Sequence, residues 1–150
     1  MTSDELAKKS LEWVKKNHKK ITAQFAGSFE STPGVAVSIF MAGSPGAGKT
    51  EFSIRLLEEI PENKKYIVRI DPDEIRQSLP QYIPGKAEVF NQVVHKAVEK
   101  LLDHVFHYEK SFLLDGTLSH IDVARKNIDR SIKKGREVRI EYVYQNPFVA

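Results

Sequence analysis

Apolar positions recur along this chain at two different spacings, and the way the spacings alternate predicts its elements. Over residues 3 to 26, Ala7, Leu11, Val14, His18, Ile21 and Phe25 return at intervals of four and three, which is one face of an amphipathic helix. Thr2 and Glu5 stand where a capping box would start it, and His18 falls on the stripe as a partly buried histidine. Gly27 to Gly34 is rich in Gly, Ser and Pro, a linker into the first strand. Val35 to Ala42 is an apolar, β-prone run, and Glu51 to Ile60 follows with helical spacing at Phe52, Leu56 and Leu57. Pro61 breaks that helix, and Tyr66 to Ile70 reads as a short strand. Lys86 to Lys110 is the longest helix, with a wide apolar stripe from Val89 to Phe106. Ser111 to Leu114 reads as a buried strand. A helix from Ser119, with Ile121, Ala124, Ile128 and Ile132 inward, closes at Gly135, and Glu137 to Tyr144 is a further strand. Four strands alternating with helices specify an α/β fold, a three-layer domain with a mostly parallel sheet and helices on both faces.

The junction of the first strand with its helix carries the strongest chemical signal. Gly43-Ser44-Pro45-Gly46-Ala47-Gly48-Lys49-Thr50 has the form G-x-x-x-x-G-K-T, a P-loop with its strand before it and its helix behind it. Gly43, Gly46 and Gly48 free the backbone to turn successive N–H groups inward around phosphate oxygens. The helix N-terminus adds partial positive charge, Lys49 reaches the β- and γ-phosphates, and the Thr50 hydroxyl is suited to Mg²⁺. ATP with Mg²⁺ is therefore the expected cofactor pair, and the fold expectation sharpens to P-loop kinase-like.

Composition narrows the classes without adding chemistry. At 150 residues the expectation is one domain, residues 1–150, large enough to bury a core. Within it, residues 1–30 form an N-terminal helix and linker. No apolar run reaches the length of a membrane span, and the first residues lack the apolar centre of a secretory signal. With no cysteine, disulfides, thiolate metal sites and cysteine nucleophiles are excluded, and a cytoplasmic location is expected. The net charge of +3 is mild. Lys8, Lys9, Lys15, Lys16, Lys19 and Lys20 crowd the first segment as a solvated face with no interleaved aromatics, so nucleic acid is not an expected partner.

A second cluster follows the second strand: Asp71-Pro72-Asp73-Glu74-Ile75-Arg76. Open parallel sheets bind ligands at the carboxyl ends of their strands, so this stretch is expected to face the P-loop. Asp71 suits a helix N-cap, and Asp73 and Arg76, three apart, share a face. One could accept a proton from an attacking hydroxyl while the other holds an anionic substrate. Asp115, at the end of the third strand, either contacts Mg²⁺ through water, orients the substrate, or only caps the turn.

Four stretches in order resemble the zeta toxin family of toxin–antitoxin systems: Gly43 to Thr50, Ile70 to Arg76 with Pro80-Gln81-Tyr82, Leu114 to Ser119, and Val143 to Pro147. The resemblance covers residues 35–147. It implies a P-loop kinase that moves the γ-phosphate of ATP to the 3′-hydroxyl of the sugar in UDP-N-acetylglucosamine, interfering with peptidoglycan precursor supply, with an antitoxin protein as partner. Carried over, Asp73 resembles the family's general base, Arg76 a substrate-site arginine, Lys49 and the loop amides the phosphate cradle, and Asp115 with Thr117 part of the nucleotide-sugar site. Position 115 is Asp where many relatives carry Glu. The family also places its γ-phosphate-binding arginines after the strand corresponding to Glu137 to Tyr144, which leads to the expectation of a C-terminally truncated kinase domain, either a fragment or a natural truncation, whose turnover the resemblance leaves open.

Two other readings fit parts of the chain. Asp73-x-x-Arg76-Gln77-Ser78 also resembles the acceptor motif of phage polynucleotide kinase, which suggests a polynucleotide 5′-kinase or another small-molecule kinase. A non-catalytic nucleotide-binding or partner-binding domain is the third reading.

Overall fold

The computed structural model describes residues 2–43, 48–59, 64–115 and 121–143. They fall into two compact units, Met1–Ser28 with Asp71–His104, and Phe29–Ile70 with Val105–Ala150, taken here in turn.

In the first unit, α1 (Ser3–Lys16) begins at the expected capping box: Glu5 N–H donates to Thr2 Oγ1 at 3.1 Å and Thr2 N–H to Glu5 Oε2 at 3.3 Å. The single helix expected over 3 to 26 is in fact two. At Asn17 (φ −115°, ψ 22°) the backbone leaves the helical region, and both the Asn17 N–H and its side-chain amide donate to the Trp13 carbonyl, each at 2.9 Å. An asparagine that captures a helix carbonyl with its side chain stops the ladder there. α2 (His18–Ala26) then restarts, and the stripe continues through Ile21. α1 packs on a 3₁₀ turn, Ala87–Phe90, which replaces the first turn of the expected long helix. That helix, α5, runs Asn91–His107, and in this unit it buries Val93, Val94, Ala97, Leu101 and Leu102. Tyr82 meets Phe90 edge-on at 5.6 Å. A short helix, α4 (Pro72–Ser78), buries Ile75.

The second unit holds the sheet. Its strands are β1 (Val37–Ala42), β2 (Ile67–Ile70), β3 (Ser111–Leu114) and β4 (Glu137–Tyr142), all parallel, in the order β2-β3-β1-β4. β1 is central, which explains its unbroken apolar run: strands covered on both faces read as continuous hydrophobic stretches. Side-chain alternation divides the core into two layers. On one face Ile39, Met41, Ile67 and Leu113 form a cluster that receives Phe52, Leu56 and Leu57 of α3 (Lys49–Glu58). On the other, Phe40 and Phe106 meet Phe112 edge-on at 5.6 and 5.7 Å.

That second face also carries a buried cation. Arg136 lies 4.6 Å over the Phe106 ring and donates to the carbonyls of Lys110 and Val105 at 2.8 and 2.7 Å. Arg130 stands 4.2 Å from the same ring. Burial pushes the Arg136 guanidinium down to about 10, and the stacking and two carbonyls offset that cost.

α6 (Ile121–Lys133) is rotated from its expected setting. Ile132, expected inward, is 61% exposed, whereas Ser131 and Asn127 are buried. The Ser131 hydroxyl lies 2.9 Å from Ser38 Oγ on β1 and 2.8 Å from the Asn127 carbonyl. A buried polar pair must face its partner, and that sets the rotation and leaves Ile132 outside. Among the described residues β4 is paired only with β1, and its Ile140 and Tyr142 are 56% and 66% exposed.

The stretch ahead of β1 is held more firmly than a Gly-Ser-Pro linker suggests. Ser31 Oγ donates to the Tyr108 carbonyl at 2.6 Å, Thr32 Oγ1 and Ser111 Oγ are 2.7 Å apart, and Ser111 Oγ accepts the Val37 N–H at 2.9 Å. No helix among the described residues is long and apolar enough to cross a membrane.

Candidate functional site

β1 ends at Ala42, and Gly43 follows at φ 148°. Gly48 then opens α3 from the left-handed region, φ 84° and ψ 26°, as the N-cap residue. A Cβ built at Gly48 would meet nothing nearer than Glu51 Oε2 at 3.8 Å, so the backbone dihedral, and not crowding, is what requires glycine there. Phe52 N–H reaches back to the Gly48 carbonyl at 3.0 Å, and the first turn of α3 begins with Lys49 and the exposed Thr50. Ser44, Pro45, Gly46, Ala47 and Thr117 lie outside the described residues, as does the Lys49 side chain. What is described, a strand, a glycine in the left-handed region and a helix start, fits an anion-binding turn.

Beside that turn sits a buried polar network. Asp115, immediately after β3, donates its N–H to the Ile70 carbonyl at 2.8 Å, and its side chain is 3% exposed. Its Oδ2 accepts from Arg69 Nη2 at 2.5 Å and lies 2.9 Å from Ser53 Oγ. Arg69 Nε donates to Ser53 Oγ at 3.0 Å, and Ser53 Oγ is 2.9 Å from the Thr50 carbonyl. One carboxylate oxygen thus joins β2, the end of β3 and the first turns of α3. Arg69 and Ser53 were not among the residues singled out from sequence. The available signal was an arginine two residues after Ile67, on the apolar side of a strand.

In the other unit, Asp71 caps α4 as expected, accepting the Asp73 N–H at 2.9 Å. Asp73 and Arg76 do meet: Nη1 donates to Oδ1 at 2.6 Å. Asp73 is 76% exposed at its side chain and Arg76 only 19%. Arg76 Nη2 also reaches Asn91 Oδ1 at 3.3 Å, and its buried Nε finds no hydrogen-bond partner among the described residues. This is an accessible carboxylate held on a fixed guanidinium, an arrangement suited to general-base work beside an anion-holding group.

Comparison with known proteins supplies the family-level context. The family model described as "Zeta toxin" matches residues 23–150. Toxin PezT of Streptococcus pneumoniae is 30% identical over 118 residues, 74% of this chain and 46% of that protein. The chain therefore spans about half the length of the curated relative it matches. A solved structure from the PezAT chromosomal toxin–antitoxin system of Streptococcus pneumoniae is 25% identical, with a TM-score of 0.76 over 90% of this chain and 57% of that one. The Mycobacterium tuberculosis APS kinase CysC, in a Cys556Ala variant, shares the fold at 13% identity and a TM-score of 0.54, over 77% of this chain and 82% of that one.

Proposed function

This chain belongs to the zeta toxin family, and on that premise we propose that it is an ATP-dependent phosphotransferase that transfers the γ-phosphate to a hydroxyl of UDP-N-acetylglucosamine. It works as one P-loop kinase-like domain with residues 35–147 as its core. The observation that carries the reading is the Asp73–Arg76 pair, a 2.6 Å contact on the first turns of a helix that Asp71 caps. It fixes a carboxylate that solvent, and hence an acceptor hydroxyl, can reach.

ATP with Mg²⁺, when bound, supplies the phosphoryl group. Asp73 accepts the acceptor's proton, and Arg76 holds Asp73 in place and offers positive charge to the substrate's anionic part. Lys49 and the backbone amides around Gly48 hold phosphate oxygens, and Thr50 is the Mg²⁺-binding residue. Thr117 belongs to the nucleotide-sugar side of the site, and Asp115, which the family resemblance also assigns there, stands in the buried pair with Arg69 beside the phosphate-binding turn. Such chemistry rests on positioning and charge. An antitoxin protein is the proposed partner and the cytoplasm the proposed location.

The test is ATP consumption with Mg²⁺, with and without UDP-N-acetylglucosamine, alongside direct measurement of ATP binding. Consumption stimulated by the sugar nucleotide, with a phosphorylated sugar product, is the expected result. Binding without consumption under any acceptor would leave a nucleotide-binding module in place of an enzyme.

A further inference from the structure

Arg69 occupies a position where the pattern of β2 asks for an apolar residue. Ile67, two residues earlier and on the same side of the strand, lies in the cluster that α3 covers, yet the Arg69 side chain is only 12% exposed. A charge placed there must be paired and hydrogen-bonded. It is paired with Asp115 Oδ2, and it donates as well to Ser53 Oγ. Ser53 has one proton and two acceptors in reach, Asp115 Oδ2 and the Thr50 carbonyl, so the hydroxyl couples the ion pair to the backbone of α3's first turn. Buried ion pairs are weak devices for stability, since apolar replacements of similar volume often do as well. A charged network at the carboxyl ends of β2 and β3, one hydroxyl from the residue that follows Lys49, is placed instead to act on the phosphate-binding turn.

We propose that Arg69 is a positioning residue for nucleotide binding: through Asp115 and Ser53 it fixes the first turn of α3 and so sets the affinity for Mg²⁺–ATP. The inference rests on the nucleotide-binding reading above, and the experiment separates the two.

Mg²⁺–ATP affinity is measured calorimetrically for the wild-type chain and for Arg69→Met, Ser53→Ala, Ser53→Thr and the Arg69→Met/Ser53→Ala double variant. Each is held at a temperature where its own melting curve shows it folded. Ser53→Ala and Arg69→Met are each expected to weaken binding about tenfold, because each releases the network's hold on the first turn of α3. Ser53→Thr, which keeps the hydroxyl, should restore it. The double variant should bind no worse than the poorer single one, because both changes act on the same turn. A merely structural role would lower melting temperatures while leaving the affinity of the folded protein unchanged, and that result overturns the proposal. Additive losses in the double variant would overturn it too. Ser53→Ala, the smallest change, decides the matter if Arg69→Met fails to fold. A wild-type chain that does not bind Mg²⁺–ATP strikes down the nucleotide reading itself, and this inference with it.

Discussion

At the scale of single residues, the contacts that sequence spacing could reveal are the local ones. Asp71 as N-cap and the meeting of Asp73 with Arg76 follow from separations of two and three residues on a helix start, where geometry leaves little choice. Arg69 and Asp115 are 46 residues apart, and nothing local brings them together. Their contact needs β2 beside β3, and that neighbourhood exists only once the sheet order is known. Two predictions belong here. Asp73→Asn keeps the shape and the bond to Arg76 but cannot accept a proton, so turnover should fall about 10²–10⁴-fold with ATP binding nearly intact, as read by steady-state kinetics beside calorimetry. Arg136→Met deprives the Lys110 carbonyl of its donor and should cost about 1–3 kcal/mol in denaturant unfolding. The folded Arg136 lies at about 10, lowered by burial from its ordinary value, so the penalty for its charge is constant below the folded value and relieved only as pH climbs from there toward the unfolded one. The deficit of the variant should therefore stay flat from about pH 6 to about pH 9.

At the scale of elements, periodicity located the four strands and the longer helices among the described residues, and it failed where a polar side chain overrode it. Asn17 divides one predicted helix into two by bonding back to Trp13. Ser131 turns α6 so that a serine faces the sheet in place of Ile132. No hydrophobic pattern anticipates either, because the deciding contact is a hydrogen bond to a particular partner. The rotation leaves Ile132 outside, and Ile140 and Tyr142 are exposed on β4, a strand that is paired on one side only among the described residues. Exposed apolar edge strands invite pairing between molecules. Ile140→Lys should therefore raise the concentration at which this chain stays monodisperse in light scattering, while its stability changes by no more than about 0.5 kcal/mol.

At the scale of the molecule, the parallel character of the sheet and the two-faced core, though not the order of the strands, were legible because β1 reads as an unbroken apolar run while each flanking helix shows a single stripe. Ligand linkage offers a global check on the nucleotide reading. Mg²⁺–ATP at about a hundred times its dissociation constant contributes about 2.7 kcal/mol to the folded state, and for a chain of this size the melting midpoint should rise by about 5–10 °C. Trp13, whose carbonyl ends α1, is the single tryptophan of the chain, and it lies in the unit that does not contain the sheet. Its fluorescence is thus a built-in reporter that follows one unit alone, whereas far-ultraviolet circular dichroism sums over both. If the chain is one cooperative domain, the two signals should trace a single transition on denaturant titration. Curves that separate would count two unfolding units and show which loosens first.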